Sequence, residues 1–163
     1  SDDDYGSVSD EDEYENTISS TGIIIKYKLK SGKIITRQYR RGEVPVSQDE
    51  NVKDLVANDL TMITKIPVKY LSSCYIQDMQ NGGYSSTDKD LNKKLIAALI
   101  KDLNNVKKIK KDEYDYSIDI NYTDSGENYN YRNGTEISVN IYSEYKNTLK
   151  VLNDSGVLAK LEE

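Results

Sequence analysis

The stretch Asp90–Val106, DLNKKLIAALIKDLNNV, decides the fold. Leu91, Leu95, Ile96, Leu99, Ile100, Leu103 and Val106 recur at helical spacing and fall along one stripe, while Lys93, Lys94, Lys101, Asp102 and Asn105 point away from it. Burying seven such side chains is worth about 10–20 kcal/mol gross, before chain entropy is subtracted. No other segment offers so wide an apolar face. The expectation is a long helix that crosses and covers a sheet.

Downstream, Lys107, Lys108, Lys110 and Lys111 are placed to close this helix with positive charge, which its dipole favours. Tyr114, Tyr116, Ile118, Ile120 and Tyr122 then alternate with Asp115, Ser117, Asp119 and Asn121, the pattern of a strand with one core face and one wet face. A strand over 136–142 repeats the pattern, with Ile137, Val139 and Ile141 inward, beyond a polar loop from Thr123 to Gly134. Ser143 is the expected cap of a last helix over 144–153, Gly156 its left-handed stop, and Val157, Leu158 and Leu161 a short packed tail.

Upstream, Thr87 is the expected N-cap of the long helix, and the Gln80–Thr87 segment with Asn81-Gly82-Gly83 reads as a flexible loop. Residues 71–79 read as a strand with Cys74 and Ile76 inward. Ser47-Gln48-Asp49-Glu50 has the capping-box form and starts a helix running to about Thr64. Residues 23–30 and 33–41 form a hairpin. Its apolar sets, Ile23, Ile25, Tyr27 and Leu29 against Ile35 and Tyr39, share a face only with an odd loop, so Lys30-Ser31-Gly32 is expected with Gly32 left-handed. The order is ββαβαββα, an α+β fold with a largely antiparallel five-stranded sheet and three helices packed mainly on one face.

Composition places limits on function. From Ser1 to Asn16 the chain holds eight acids and no base, leaving 20 acids against 22 bases in the remainder. Residues 1–20 therefore read as a disordered acidic tail or linker and 21–163 as a single domain. Histidine is absent, which removes the commonest general base and the commonest transition-metal ligand. Cys74 is alone, so it reads as an inert buried thiol without disulfide or zinc partners. Nothing approaches the length of a membrane span, and a soluble domain is expected. All fourteen tyrosines serve where Phe and Trp are missing.

No nucleotide, hydrolase or metalloprotease motif occurs, so no catalytic, cofactor or metal residues are assigned. The Asp124–Asn130 loop departs from a calcium loop, with Tyr129 where glycine is needed, and Asp115 and Asp119 are expected on one wet strand face. The hairpin's other face is the most basic part of the chain. Lys26, Lys28, Lys30, Arg37, Arg40 and Arg41 are the candidate interaction face, with no nucleic-acid partner expected because stacking aromatics are not interleaved.

The run Tyr27-x-Leu29-x-x-Gly32-Lys33-x-x-x-Arg37-x-Tyr39 resembles the start of an uncharacterised C-terminal soluble domain of ABC transporter permeases from low-GC Gram-positive bacteria. The similarity runs on through Ala98–Leu103 and Asn147–Gly156, over about residues 22–158. It implies a non-catalytic interaction or substrate-sensing domain held outside the bilayer, extracytoplasmic, with the rest of the permease or another protein as partner. It implies no site residues and no cofactor. The alternatives are a secreted or lipid-anchored binding protein with an acidic tether, and a calcium-binding or carboxylate-based enzyme domain.

Overall fold

The computed structural model describes residues 13–19, 22–40, 55–63, 71–123 and 134–161. Among the described residues, seven strands and four helices follow in the order β1 (Glu13–Ser19), β2 (Gly22–Lys28), β3 (Ile34–Arg40), α1 (Leu55–Ile63), β4 (Leu71–Asp78), β5 (Gly82–Ser86), α2 (Lys89–Asn105), β6 (Tyr116–Thr123), β7 (Gly134–Ile141), α3 (Lys146–Asp154) and α4 (Val157–Leu161). The α+β class is as expected. The single five-stranded sheet is not, because the strands form two antiparallel sheets, β1-β2-β3 and β5-β4-β6-β7.

Both additional strands come from segments that lack a strand's usual composition. β1 lies inside the expected acidic tail and pairs with β2 along its whole length, setting Tyr14 opposite Tyr27 and Ile18 opposite Ile23. Residues 13–19 of the expected tail are thus a paired strand, and residues 1–12 lie outside the described residues. β5 replaces the expected loop. Asp78 makes the turn before it by accepting the Gln80 and Asn81 backbone N–H groups at 2.8 and 3.3 Å, and Gly82 adopts φ +102°. Gly83 then lies beneath the Tyr75 ring, where any Cβ would overlap the phenol.

The β2–β3 hairpin has the expected three-residue loop. Leu29 N donates to Lys33 O at 2.9 Å, Gly32 N donates to Leu29 O at 2.8 Å, and Gly32 has φ +88°. The resulting register sets Tyr27 opposite Ile35, Ile25 opposite Arg37 and Ile23 opposite Tyr39, all facing inward. Arg37 was expected on the basic outer face. It shares parity with Ile35 and Tyr39 and is buried with them, 4 % exposed.

What receives Arg37 is Asp59 of α1, itself fully buried. Arg37 Nε donates to Asp59 Oδ2 at 2.8 Å, Tyr39 OH to the same oxygen at 2.7 Å, and Tyr27 OH to Oδ1 at 2.7 Å. Burial and the adjacent carboxylate hold the Tyr27 phenol far above its ordinary range, so it stays a donor.

α2 buries Leu95, Ile96 and Leu99 at its centre, with Leu91, Ile100, Leu103 and Val106 half-buried along the stripe's margins. Its N-cap is Asp88 rather than Thr87, the Asp88 carboxylate accepting from Asp90 N and Leu91 N. The helix ends at Asn105, with Val106 already extended, so Lys107–Lys111 lies beyond its last turn.

Asp102, expected to face water, is 2 % exposed and caps another helix. It accepts from Asn147 Nδ2 and Thr148 Oγ1, both at 2.7 Å, and from the backbone N–H groups of Asn147 and Thr148 at 3.3 and 2.7 Å. Ser143 is thus not the cap: α3 starts at Lys146 behind Tyr145, which makes no side-chain capping bond. A carboxylate from α2 satisfies the orphan donors of α3 instead. Gly156, at φ +80°, ends α3 as expected, and the expected tail is the short helix α4, with Val157 and Leu161 buried.

The two sheets and the helices share one apolar core, and β3 lies beside β7, where Thr135 Oγ1 donates to Tyr39 O at 3.5 Å.

Two stability measurements test these joints. Asp59→Ala leaves a buried guanidinium without its carboxylate and is expected to cost about 3–5 kcal/mol in urea unfolding, against about 1–2 kcal/mol for Tyr27→Phe; equal, small losses would show that the carboxylate is not what holds α1. Asp102→Ala is expected to lose about 3 kcal/mol, with amide exchange accelerated first at Asn147 and Thr148. Exchange unchanged at those two amides would disprove the capping role.

Candidate functional site on the outer face of the four-stranded sheet

Alternation along β4, β6 and β7 sends Cys74, Ile76, Ile118, Ile120, Tyr122, Ile137, Val139 and Ile141 to the core. Their neighbours populate the other face. Register sets Asp119 between Tyr75 and Ser138, Asn121 between Ser73 and Glu136, and Ser117 between Gln77 and Asn140. A uniformly wet face was expected, but this one is graded. Ser138, Asn140 and Gln77 are exposed, Asp119, Glu136 and Tyr75 are half-buried, and Asn121 and Thr123 are 5 % and 1 % exposed.

Polar contacts organise its centre. Ser138 Oγ lies 2.7 Å from Asp119 Oδ1 and 3.0 Å from Glu136 Oε1. Asn121 Nδ2 donates to Ser73 Oγ at 3.0 Å, across a β4 that carries a register shift between Leu71 and Ser73. Asn121 Oδ1 and Thr123 Oγ1 are buried and have no hydrogen-bond partner among the described residues. Burial raises the Asp119 carboxyl above its ordinary range, and the Ser138 hydrogen bond opposes that rise. Tyr75 lies across Gly83 and gives the patch an aromatic rim.

The residues singled out in the sequence meet different fates. Asp115 precedes β6 and is exposed, contributing its carbonyl to Met79 N at 3.0 Å, so it is not a partner of Asp119 along one strand. The Asp124–Asn130 loop lies outside the described residues, and among those described no group of three or more His, Cys, Asp and Glu side chains comes together. Cys74 is buried, and burial pushes its thiol up to about 12, as suits an unreactive core residue.

The basic face keeps part of its membership. Lys26, Lys28 and Lys30 are exposed, Arg37 is withdrawn into the Asp59 contact, and the Arg40 side chain and Arg41 lie outside what is described. Register sets Glu15 of β1 opposite Lys26 and Glu13 opposite Lys28.

Two features went unread in the sequence. Tyr114, Tyr142 and Tyr145 stack edge to face, with ring centroids 5.9 and 5.7 Å apart, which needs strand ends far apart in the chain to meet. Glu144, expected inside a helix, accepts the Lys110 backbone N–H at 3.0 Å, and this bond, followed by that from Ser143, lowers its carboxyl. It fixes the lysine-rich segment after α2.

The raised Asp119 carboxyl sets a sign for pH dependence. Folding favours its protonated form, so its contribution is greatest below the ordinary carboxylate range and is lost as pH rises through the folded value. Relative to an Asp119→Asn variant, the wild type is expected to lose stability from that range upward in metal-free buffer, measured by urea unfolding at stepped pH; a difference that stays flat would show an unperturbed carboxyl. Comparison with known protein families, curated proteins and solved structures gave no match to this chain.

Proposed function

We infer that the chain is a non-catalytic interaction or sensing domain, of the kind carried by ABC transporter permeases, held outside the bilayer on the extracytoplasmic side. Its partner in this reading is the remainder of the permease or another protein. The supporting observation is where the residues of the resemblance go. Tyr27, Arg37 and Tyr39 meet at Asp59, Leu29 is buried, and Gly32 makes the turn between their strands. A signature used to hold a hairpin on a helix belongs to a scaffold, and it leaves the graded polar face of the other sheet for contact.

No helix among the described residues is long and apolar enough to cross a membrane, so in this reading the spans belong to another part of the polypeptide. The test is the complete reading frame and its neighbours. Spanning segments in the same polypeptide, with a transporter ATPase encoded alongside, are the expected finding. A gene with neither overturns the proposal.

A further inference from the structure

A second basic surface lies on α2 and the segment that follows it. Between Lys89 and Lys111 the chain holds eight lysines, two acids and no arginine. Asp102 is buried and spent on the start of α3, so Asp90, in the first turn of α2, is the one acid this stretch exposes. Lys93, Lys94, Ala97, Lys101 and Asn104 are all exposed and share the helix face opposite Leu95 and Leu99. Lys107, Lys108, Lys110 and Lys111 come directly after the helix and are exposed as well. Glu144 holds their segment to the start of α3 through the Lys110 backbone N–H.

Among the described residues no carboxylate stands within ion-pair distance of Lys93, Lys94, Lys101 or the four lysines after the helix. Seven like charges on one side of a small fold repel one another, and an anionic partner relieves that repulsion.

The class of partner follows from how the charge is built. A convex helix ridge spreads its ammonium groups instead of enclosing a small anion. Arginine, whose planar fork suits carboxylates or phosphates held in fixed geometry, does not occur in the stretch; lysine is a hydrated point charge on a flexible stem and suits a fluid layer of phosphates. From Ser85 to Glu113 there is no aromatic residue on which a nucleic-acid base could stack. Ile109 stands between Lys108 and Lys110 and stays 36 % exposed. An apolar side chain flanked by lysines matches the boundary between acyl chains and headgroups, where lysine stems lie along apolar surface and their ammonium groups reach the phosphates.

We propose that the exposed ridge of α2, with Lys93, Lys94 and Lys101, and the lysine-rich segment around Ile109 form a docking surface for an anionic lipid bilayer. Asp112 and Glu113 bound the surface at its far end, and Asp112 accepts from Tyr142 OH at 3.3 Å. The attraction is electrostatic and screened by salt, and each lysine that reaches the headgroups strengthens binding about fivefold. This surface does not depend on attachment to a permease, so vesicle binding and the content of the reading frame fail independently.

The test is co-sedimentation of the full chain with phosphatidylcholine vesicles, with and without phosphatidylglycerol. Binding that requires phosphatidylglycerol and falls as NaCl is raised is expected. Lys93→Glu/Lys94→Glu/Lys101→Glu, confined to exposed positions, is expected to weaken it at least about tenfold with an unchanged thermal melt. Lys107→Glu/Lys108→Glu, beyond the helix, reads the same surface without touching α2 and is expected to weaken it as well, whereas Lys26→Glu/Lys28→Glu on the hairpin leaves it unchanged. Absence of binding to the anionic vesicles overturns the proposal. So does binding that survives both reversals at the α2 surface, binding that is lost only with the hairpin reversal, or tighter binding of duplex DNA or polyglutamate than of the vesicles at the same salt.

Discussion

A carboxylate without access to water has to be answered by donors, and Asp59 takes all three of its described ones from a single hairpin. The requirement is directional in a way that apolar burial is not. Tyr27, Arg37 and Tyr39 reach Asp59 only while they share the inner face of β2 and β3, which the three-residue loop at Gly32 sets. Shifting either strand by one residue would turn its members outward and leave a buried charge alone. The turn, the register and the seat of α1 are thus parts of one condition.

Asp102 repeats this logic between two helices. Apolar packing of α2 on α3 carries no direction of its own, whereas Asp102 must aim its carboxylate at the first N–H groups of α3. Burying charge is expensive, and paired buried charges add little net stability over apolar replacements. Their effect here is on geometry: Asp59 fixes a helix to a sheet, and Asp102 fixes helix to helix. The apolar core fills the space between these two joints.

Much of this was legible. The α2 stripe, the alternation of β6 and β7, the loop at Gly32 and the stop at Gly156 each follow from local chemistry acting over a few residues. Arg37 and Asp102 were misplaced because hydropathy treats a charge as a surface residue. The parity of Arg37 with Ile35 and Tyr39 carried the contrary signal. β1 was hidden by its acids and β5 by its glycines, and both gain strand form from a partner rather than from their own propensity. Of the candidate site, Asp119 could be seen as a spaced acid on a strand. Ser138, Glu136 and Asn121 join it through the β6–β7 register, which alternation within each strand does not reveal.

The position of β1 has one more consequence. Among the described residues it is the outermost strand of its sheet, and the outer edge of a sheet is where a further strand can add. Here that edge begins with Glu13 and Glu15 and directly follows Asp10, Glu11 and Asp12 in the chain. At the far end of the other sheet, β5 is shielded differently, with α4 alongside and Lys160 over the Tyr84 ring at 4.6 Å. Among the described residues the two sheets thus end differently, one on a strand that carries acids in its sequence and the other beside a helix.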